Sequence, residues 1–288
     1  MPVQEIKTVA VVGAGTMGAR IAQATALAGY EVLLYDIDGE LLEEAFARIK
    51  ASIDKGVALR KVDAAAATRA KEGFRLTTVL ADTAGADLII EAAPEKLDLK
   101  RTIFADLDAG AAPHTILASN TSSLSVNALA STTGRPDRFL GLHFFNPAHI
   151  MKLVEVIRGD DTSEETLAAA GEFVRRLGKT AVHCKDTPAF IVNRVARPFY
   201  GEALRLLGEN AADVATIDRL LKSVGFRMGP FELIDLIGCD VNFAVTQSVY
   251  DAYFQEPKYR PHPIQRRMVE SGHLGRKSGR GFYDYGEG

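Results

Sequence analysis

The stretch VAVVGAGTMGARIAQ, residues 9 to 23, constrains this chain more than any other. A run of β-branched and small apolar residues, TVAVV (8–12), ends in Gly13, Gly15 and Gly18, and GTMGARIAQATALA (15–28) continues with apolar residues at helical spacing. Alone, G-x-G-x-x-G says little. Placed between a strand and a helix it acquires a physical meaning: Gly13 permits the tight turn, Gly15 lets the backbone approach a pyrophosphate, and Gly18 allows close helix–strand packing. Backbone N–H groups at the helix start, Thr16 and Met17 among them, then face the anion. The alternative is a glycine-rich turn of no further consequence.

The next strand, YEVLLYD (30–36), ends on Asp36, eighteen residues after Gly18. A carboxylate there accepts hydrogen bonds from ribose hydroxyls and repels a 2′-phosphate, so NAD is favoured over NADP. A long helical stretch starts at GELLEEAFARIKASI, and ADLIIEA (86–92), TILAS (115–119) and FLGLHFF (139–145) read as further buried strands. Such alternation predicts an α/β fold, a Rossmann-type parallel sheet covered on both faces. The alanine-rich KVDAAAATRAKEG (61–73) reads as exposed helix ending at Gly73.

After KTAVHCKD (179–186) strand signals cease and helical patterns take over from AFIVNRVARPFYGEALRLLGE (189–209) onward. The boundary falls near Asp186–Thr187–Pro188, because proline restricts the residue before it. Two domains are therefore expected, 1–186 dinucleotide-binding and 187–288 all-helical.

A formal charge of −3 gives no basic excess for nucleic acid, and no apolar run reaches the ~20 residues needed to span a bilayer. The N-terminus lacks the layout of a signal peptide. Cys184 and Cys239 stand far apart and read as free thiols in a reducing compartment, so a cytoplasmic location is expected.

HFFNPAHIMKLVE (143–155) sets His143, His149 and Glu155 at equal spacing. If GLHFF and KLVEVI return on each other around residue 149, His143 and Glu155 become directly opposed, with Cβ atoms ~5 Å apart. The carboxylate then holds one imidazole nitrogen and leaves the other to exchange a proton with substrate. A purely structural hydrogen bond across two strands satisfies the same spacing. His149 falls at the turn and reads as a solvated loop histidine; no metal set is expected. In LASNTSSLSV, beyond the next strand inward, one of Ser119, Asn120, Thr121, Ser122 and Ser123 can bond a reacting oxygen, or simply cap a helix.

GAGTMG, EAAPE with the following LK, ASNTSSL, GLHFFNP, MKLVEV, KDTPAFIVNR, MGPFELIDLIG and GRKSGRGFYDY occur in that order. Together they resemble the L-3-hydroxyacyl-CoA dehydrogenases over essentially the whole chain. The resemblance implies reversible, NAD-dependent oxidation of an (S)-3-hydroxyacyl-CoA to the 3-oxoacyl-CoA, a step of fatty-acid β-oxidation type. It implies His143 as catalytic base, Glu155 as its orienting carboxylate, Ser122 at the substrate C3 oxygen beside the nicotinamide, and Asn193 as a positioning asparagine. Glu95, Lys100, Asn146 and Lys277 match positions lining the cofactor site. Ser52 and Lys55 fall in the segment that contacts CoA. A homodimer through the helical domain is implied too, and no membrane or nucleic-acid partner.

Two residues depart from the usual pattern: His149, where proline is common, and Arg197, where many fatty-acyl members are apolar. IVNRVARP with MGPFELIDLIG and DVNFAVTQSVYDA is similar to the 3-hydroxyadipyl-CoA dehydrogenases of phenylacetate breakdown. Arg197, one helical turn from Asn193, is expected to face the acyl end, where a guanidinium can pair with a terminal carboxylate; a surface or interface salt bridge is its alternative. A CoA-independent hydroxyacid dehydrogenase and a catalytically silent NAD-binding relative are the competing functions.

Overall fold

The computed structural model describes residues 4–286, which divide into two compact units, one ending at Thr187 and the other beginning at Pro188. The first unit is built on one sheet. Its strands are β1 (Thr8–Val12), β2 (Glu31–Tyr35), β3 (Phe74–Thr77), β4 (Leu88–Glu91), β5 (Ile116–Ser119), β6 (Phe139–Phe144), β7 (Leu153–Arg158) and β8 (Thr180–Lys185). They lie in the order β3-β2-β1-β4-β5-β6-β7-β8. Every neighbouring pair is parallel except β6–β7, which is antiparallel.

The connections are α1 (Thr16–Leu27), α2 (Gly39–Ala58), α3 (Ala64–Glu72), α4 (Leu97–Gly110), α5 (Val126–Ala130) and α6 (Glu164–Arg176). Local chemistry sets several starts. Asp38 accepts from the N–H groups of Glu40 and Leu41 to begin α2, Asp63 accepts from Ala66 to begin α3, and Ser163 from Thr166 to begin α6. Strands β4, β5 and β6 are buried along their whole lengths, as parallel strands covered on both faces must be.

The chain runs from β1 outward to β2 and β3, then crosses to β4 on the other side of β1. That reversal opens a crevice beyond the carboxyl ends of β1 and β4, where open α/β sheets bind their ligands. FRLT, which forms β3, carries too weak an alternation to be read as a strand; its pairing with β2 supplies the order that its own sequence lacks.

The second unit contains α7 (Val192–Gly208), α8 (Val214–Ser223), α9 (Pro230–Ile237), α10 (Cys239–Ala252) and α11 (Pro263–Glu270). Tyr200, Leu204, Ile217, Phe231, Ile234 and Cys239 make its core. The helix read as beginning at Ala189 begins at Val192 instead, because Ala189 and Phe190 adopt φ of 64° and 50°, outside the helical region. Among the described residues no helix is long and apolar enough to cross a membrane, and no three His, Cys, Asp or Glu side chains gather as a metal site.

Cys184 and Cys239 are both free thiols. Burial, then the charges of Glu155 and Asp186, pushes Cys184 up to about 12; burial, then Asp235 and Asp240, does the same to Cys239. The thiolate is the reactive form, so alkylation of the native protein by iodoacetamide at pH 8 is expected about a thousandfold slower than for an ordinary thiol. Labelling at the rate of the urea-unfolded chain would contradict this.

Candidate active site

At the turn from β1 into α1, a Cβ on Gly18 would lie 1.8 Å from the carbonyl oxygen of Gly13, and one on Gly13 would meet the Ala92 backbone at 3.0 Å. Gly13 also has φ of +104°. Both positions are closed to side chains, one by packing and one by packing and backbone conformation. Gly15 differs: a Cβ there would meet nothing within 4 Å, so the space in front of it is open to a ligand. Helix α1 begins there with no side-chain cap and no acidic residue in its first turn. The N–H groups of Thr16 and Met17 thus stand at a positive helix end beside open space, which fits a pyrophosphate. Asp36 Oδ2 accepts from the Ala14 N–H at 2.7 Å and Oδ1 from Asp38 N–H at 3.1 Å. The carboxylate fixes the glycine turn and keeps lone pairs for ribose hydroxyls.

Beyond β4 and β5 lies a buried ionic network. Glu91, at the end of β4, is fully buried and receives Lys100 Nζ at 2.5 Å, the Ala93 N–H at 2.7 Å and the Ser119 hydroxyl at 2.7 Å. Lys100 also donates to the Ala93 carbonyl at 3.1 Å and lies 3.4 Å from Glu95. Expected to line the cofactor site, Lys100 is instead 1% exposed, buried against the two glutamates it holds.

Glu95 Oε1 gathers the loop after β5. It accepts from the Thr121 hydroxyl at 2.6 Å, the Ser122 and Ser123 N–H groups at 2.8 and 3.1 Å, and the Ser122 hydroxyl at 3.2 Å. Burial alone would raise the Glu95 carboxyl; Lys100, the Thr121 hydroxyl and the two N–H groups outweigh it and hold the group below the usual range. Ser122 is thereby fixed by a carboxylate, with its hydroxyl half-exposed. Asn120 Oδ1 accepts from the Phe144 N–H at 2.9 Å, which ties this loop to the end of β6.

In the antiparallel pair, His143 stands directly opposite Glu155. The Nδ1–H of His143 donates to Glu155 Oε2 at 2.7 Å; Glu155 is fully buried and His143 is 6% exposed. A fully buried carboxylate at that distance selects the tautomer, fixes the ring plane and stabilises the imidazolium. The Phe145 ring lies 4.5 Å away and packs against the imidazole. The sheet therefore holds a proton acceptor with its orienting carboxylate, one strand over from a hydroxyl-bearing loop and on the same side as the glycine turn.

Asn146 Oδ1 accepts from Arg20 Nη1 of α1. His149, expected to be solvated, is half-buried, and its Nδ1 is buried without a hydrogen-bond partner among the described residues. Ser52 accepts from Gln23 Nε2 at 3.0 Å and lines a cleft between α1 and α2; Lys55, three residues on, is exposed.

In the helical unit, Asn193 lies half-buried in the first turn of α7. Arg197 is neither a surface nor a salt-bridged residue. It is 5% exposed, its Nη1 donates to the Asn242 carbonyl and the Thr246 hydroxyl at 3.0 Å each, and its guanidinium lies 4.9 Å from the Tyr200 ring centroid. No carboxylate pairs with it among the described residues, and burial lowers it to about 10. Lys277 pairs with Asp240 at 2.6 Å. Glu91, Arg20, Gln23 and Arg48 escaped the sequence reading. For Glu91 a signal existed, an acid ending an otherwise apolar buried strand.

Residues 8–187 match the family model described as 3-hydroxyacyl-CoA dehydrogenase, NAD binding domain, and residues 190–285 match 3-hydroxyacyl-CoA dehydrogenase, C-terminal domain. The chain is 48% identical, over 97% of its length, to 3-hydroxyadipyl-CoA dehydrogenase of Escherichia coli K12, but spans only 59% of that protein. It is 44% identical to 3-hydroxybutyryl-CoA dehydrogenase of Bradyrhizobium diazoefficiens, covering 97% of the chain and 96% of the relative. The crystal structure of (S)-3-hydroxybutyryl-CoA dehydrogenase from Ralstonia eutropha matches with a TM-score of 0.94 at 42% identity, covering 98% of this chain and all of that one.

Proposed function

The chain belongs to the 3-hydroxyacyl-CoA dehydrogenase family, and we propose that it oxidises a (S)-3-hydroxyacyl-CoA reversibly with NAD, using His143 as base. The observation that carries this reading is the His143–Glu155 pair, buried and closed at 2.7 Å beside the serine loop held by Glu95. NAD, when bound, supplies the hydride acceptor at nicotinamide C4. In the oxidative direction His143 Nε2 takes the C3 hydroxyl proton while the Ser122 hydroxyl holds the same oxygen. Glu155 stabilises the imidazolium so formed, and Asn193 positions the thioester. In the reductive direction His143 returns the proton. Gly13, Gly15, Thr16, Met17, Gly18 and Asp36 hold the dinucleotide, with Glu95 and Asn146 completing its surroundings.

The substrate we favour is 3-hydroxyadipyl-CoA, with 3-hydroxybutyryl-CoA as the shorter, neutral counterpart, and a role in phenylacetate degradation follows from the former. Two findings support the choice: the likeness to the Escherichia coli relative, and Arg197, a buried guanidinium without a carboxylate partner among the described residues. A terminal carboxylate would supply the missing counter-charge. Val195, Leu220, Val224, Phe226 and Leu236 expose apolar surface on the helical unit, which supports a homodimer through that unit. Two free thiols fit a cytoplasmic location.

The decisive assay is NADH oxidation with acetoacetyl-CoA and 3-oxoadipyl-CoA. Turnover is expected with both, and the 3-oxoadipyl-CoA/acetoacetyl-CoA ratio of kcat/KM should fall about tenfold or more in Arg197→Met. Tight NADH binding without turnover would instead favour a silent relative, and turnover of CoA-free hydroxy acids a different dehydrogenase. An unchanged ratio would remove Arg197 from specificity.

A further inference from the structure

We propose that Asn120 and Thr121 are positioning residues of the reaction: their side chains pin the loop that carries Ser122, one to the strand of His143 and the other to Glu95, so that hydroxyl and imidazole meet the same substrate oxygen. The proposal rests on the acyl-CoA reading above and adds to it two residues that set its geometry.

The loop leaves β5 where the sheet stops holding it. The β5–β6 register ends with Ser119 opposite Gly141, two residues short of His143. Ser122 lies beyond that last rung, so backbone pairing alone does not fix its hydroxyl against the base. Asn120 bridges the gap. Its N–H donates to the Glu91 carbonyl at 2.8 Å on the β4 side, and its Oδ1 accepts from the Phe144 N–H at 2.9 Å on the β6 side. Phe144 follows His143 directly, so the amide extends the β5–β6 contact to the base itself. Strand β6 is independently held by β7, with Phe144 opposite Val154. The loop, rather than the base, is therefore what Asn120 immobilises.

Thr121 supplies the second hold. It is fully buried, and its hydroxyl donates to Glu95 Oε1 at 2.6 Å while accepting from the Leu124 and Ser123 N–H groups at 2.9 and 3.3 Å. One hydroxyl thus closes the turn from Thr121 to Leu124 and anchors it to a carboxylate. The same Glu95 oxygen accepts the Ser122 and Ser123 N–H groups at 2.8 and 3.1 Å, and their hydroxyls at the longer 3.2 and 3.4 Å. A carboxylate oxygen offers about two lone-pair sites, so the long hydroxyl contacts are the surplus. The Ser122 hydroxyl has one proton, which must leave Glu95 to reach the C3 oxygen. It can turn at little cost because the Thr121 hydroxyl and two N–H groups keep Glu95 satisfied. Without the Thr121 hydroxyl, Glu95 draws on the Ser122 proton and the substrate oxygen loses it.

Reduction of acetoacetyl-CoA by NADH, in steady state and in single turnover, tests the assignment. Asn120→Ala and Thr121→Val should each lower kcat about 10- to 100-fold, the scale of a reacting group displaced by about an ångström, with NADH affinity and KM for the thioester retained. Thr121→Ser keeps the hydroxyl and Asn120→Asp keeps an acceptor for the Phe144 N–H, so both should recover most of kcat. In a Ser122→Ala background neither Asn120→Ala nor Thr121→Val should cost much more, because their effect passes through Ser122. Wild-type kcat in either single variant would overturn the proposal. So would equal fractional losses with and without Ser122, or no recovery in the conservative variants, since each result assigns these side chains to the fold alone. If Thr121→Val does not fold, the half-exposed Asn120 carries the same comparison. No thioester turnover by wild type would remove the functional reading and this proposal together; active wild type with unaffected variants would remove the proposal alone.

Discussion

His143→Gln should lower kcat by about 10²–10⁴-fold, the usual contribution of a positioned acid–base group, with NADH affinity retained. Glutamine nearly fills the imidazole volume and can still offer an N–H to Glu155, so the buried carboxylate keeps a donor and the sheet keeps its packing. What glutamine cannot do is accept the substrate proton. A loss of that size corresponds to about 3–5 kcal/mol of transition-state stabilisation. It should appear in single-turnover hydride transfer as well as in kcat, because the chemical step itself is damaged. Alanine would be a poorer test: it leaves Glu155, which is fully buried, without its ring partner and confuses folding with catalysis. Wild-type turnover in His143→Gln would remove the assignment of the base.

Lys100→Met should strongly destabilise the first unit. Glu91 is fully buried and Lys100 is 1% exposed, and they meet at 2.5 Å. Removing the cation from such a pair costs about 3–5 kcal/mol, because the remaining charge is left in a medium that solvates it poorly. Thermal denaturation should register this as a fall in Tm of roughly 10 °C. The double variant Glu91→Gln/Lys100→Met should recover much of the loss, since the fully buried partner is then neutral too, and the Glu95 carboxylate keeps its hydrogen bonds from Thr121, Ser122 and Ser123. Lys100 is also the largest influence lowering the Glu95 carboxyl. A depressed carboxylate contributes stability that is present above the ordinary value of ~4.3 and is lost as pH falls through its own lower value. Without Lys100 that loss should begin at higher pH. A single variant as stable as wild type, or a double variant no better than the single, would mean that the pair does not hold this part of the sheet.

Much of this molecule was legible because its signals are local. The glycine turn, the alternation of strands with helices and the return of β7 on β6 are each written within a few tens of consecutive residues. The opposition of His143 and Glu155 follows from a twelve-residue separation and the two-residue period of strands. The role of Lys100 was not legible in the same way: a lysine in a helix looks the same whether it faces solvent or two glutamates from other elements. Arg20 and Arg48 escaped for a related reason, since their shared cleft exists only after α1 and α2 pack together. His149 was misjudged because a loop position says nothing of what folds over it. The late start of α7 was hidden as well, in a left-handed pair of residues that carries no glycine to announce it.

The antiparallel turn between β6 and β7 makes the His143–Glu155 pair modular. Both of its members lie in a stem whose register is fixed by strand pairing, while the loop between them carries Asn146 towards Arg20 of α1 and His149 to the cleft between α1 and α2. A substitution or a change of length in that loop can alter the rim without moving His143 or Glu155. A one-residue slip in the stem would instead carry Glu155 to the opposite face of the sheet. The hairpin thus separates a stem held to one alignment from a tip that is free to change.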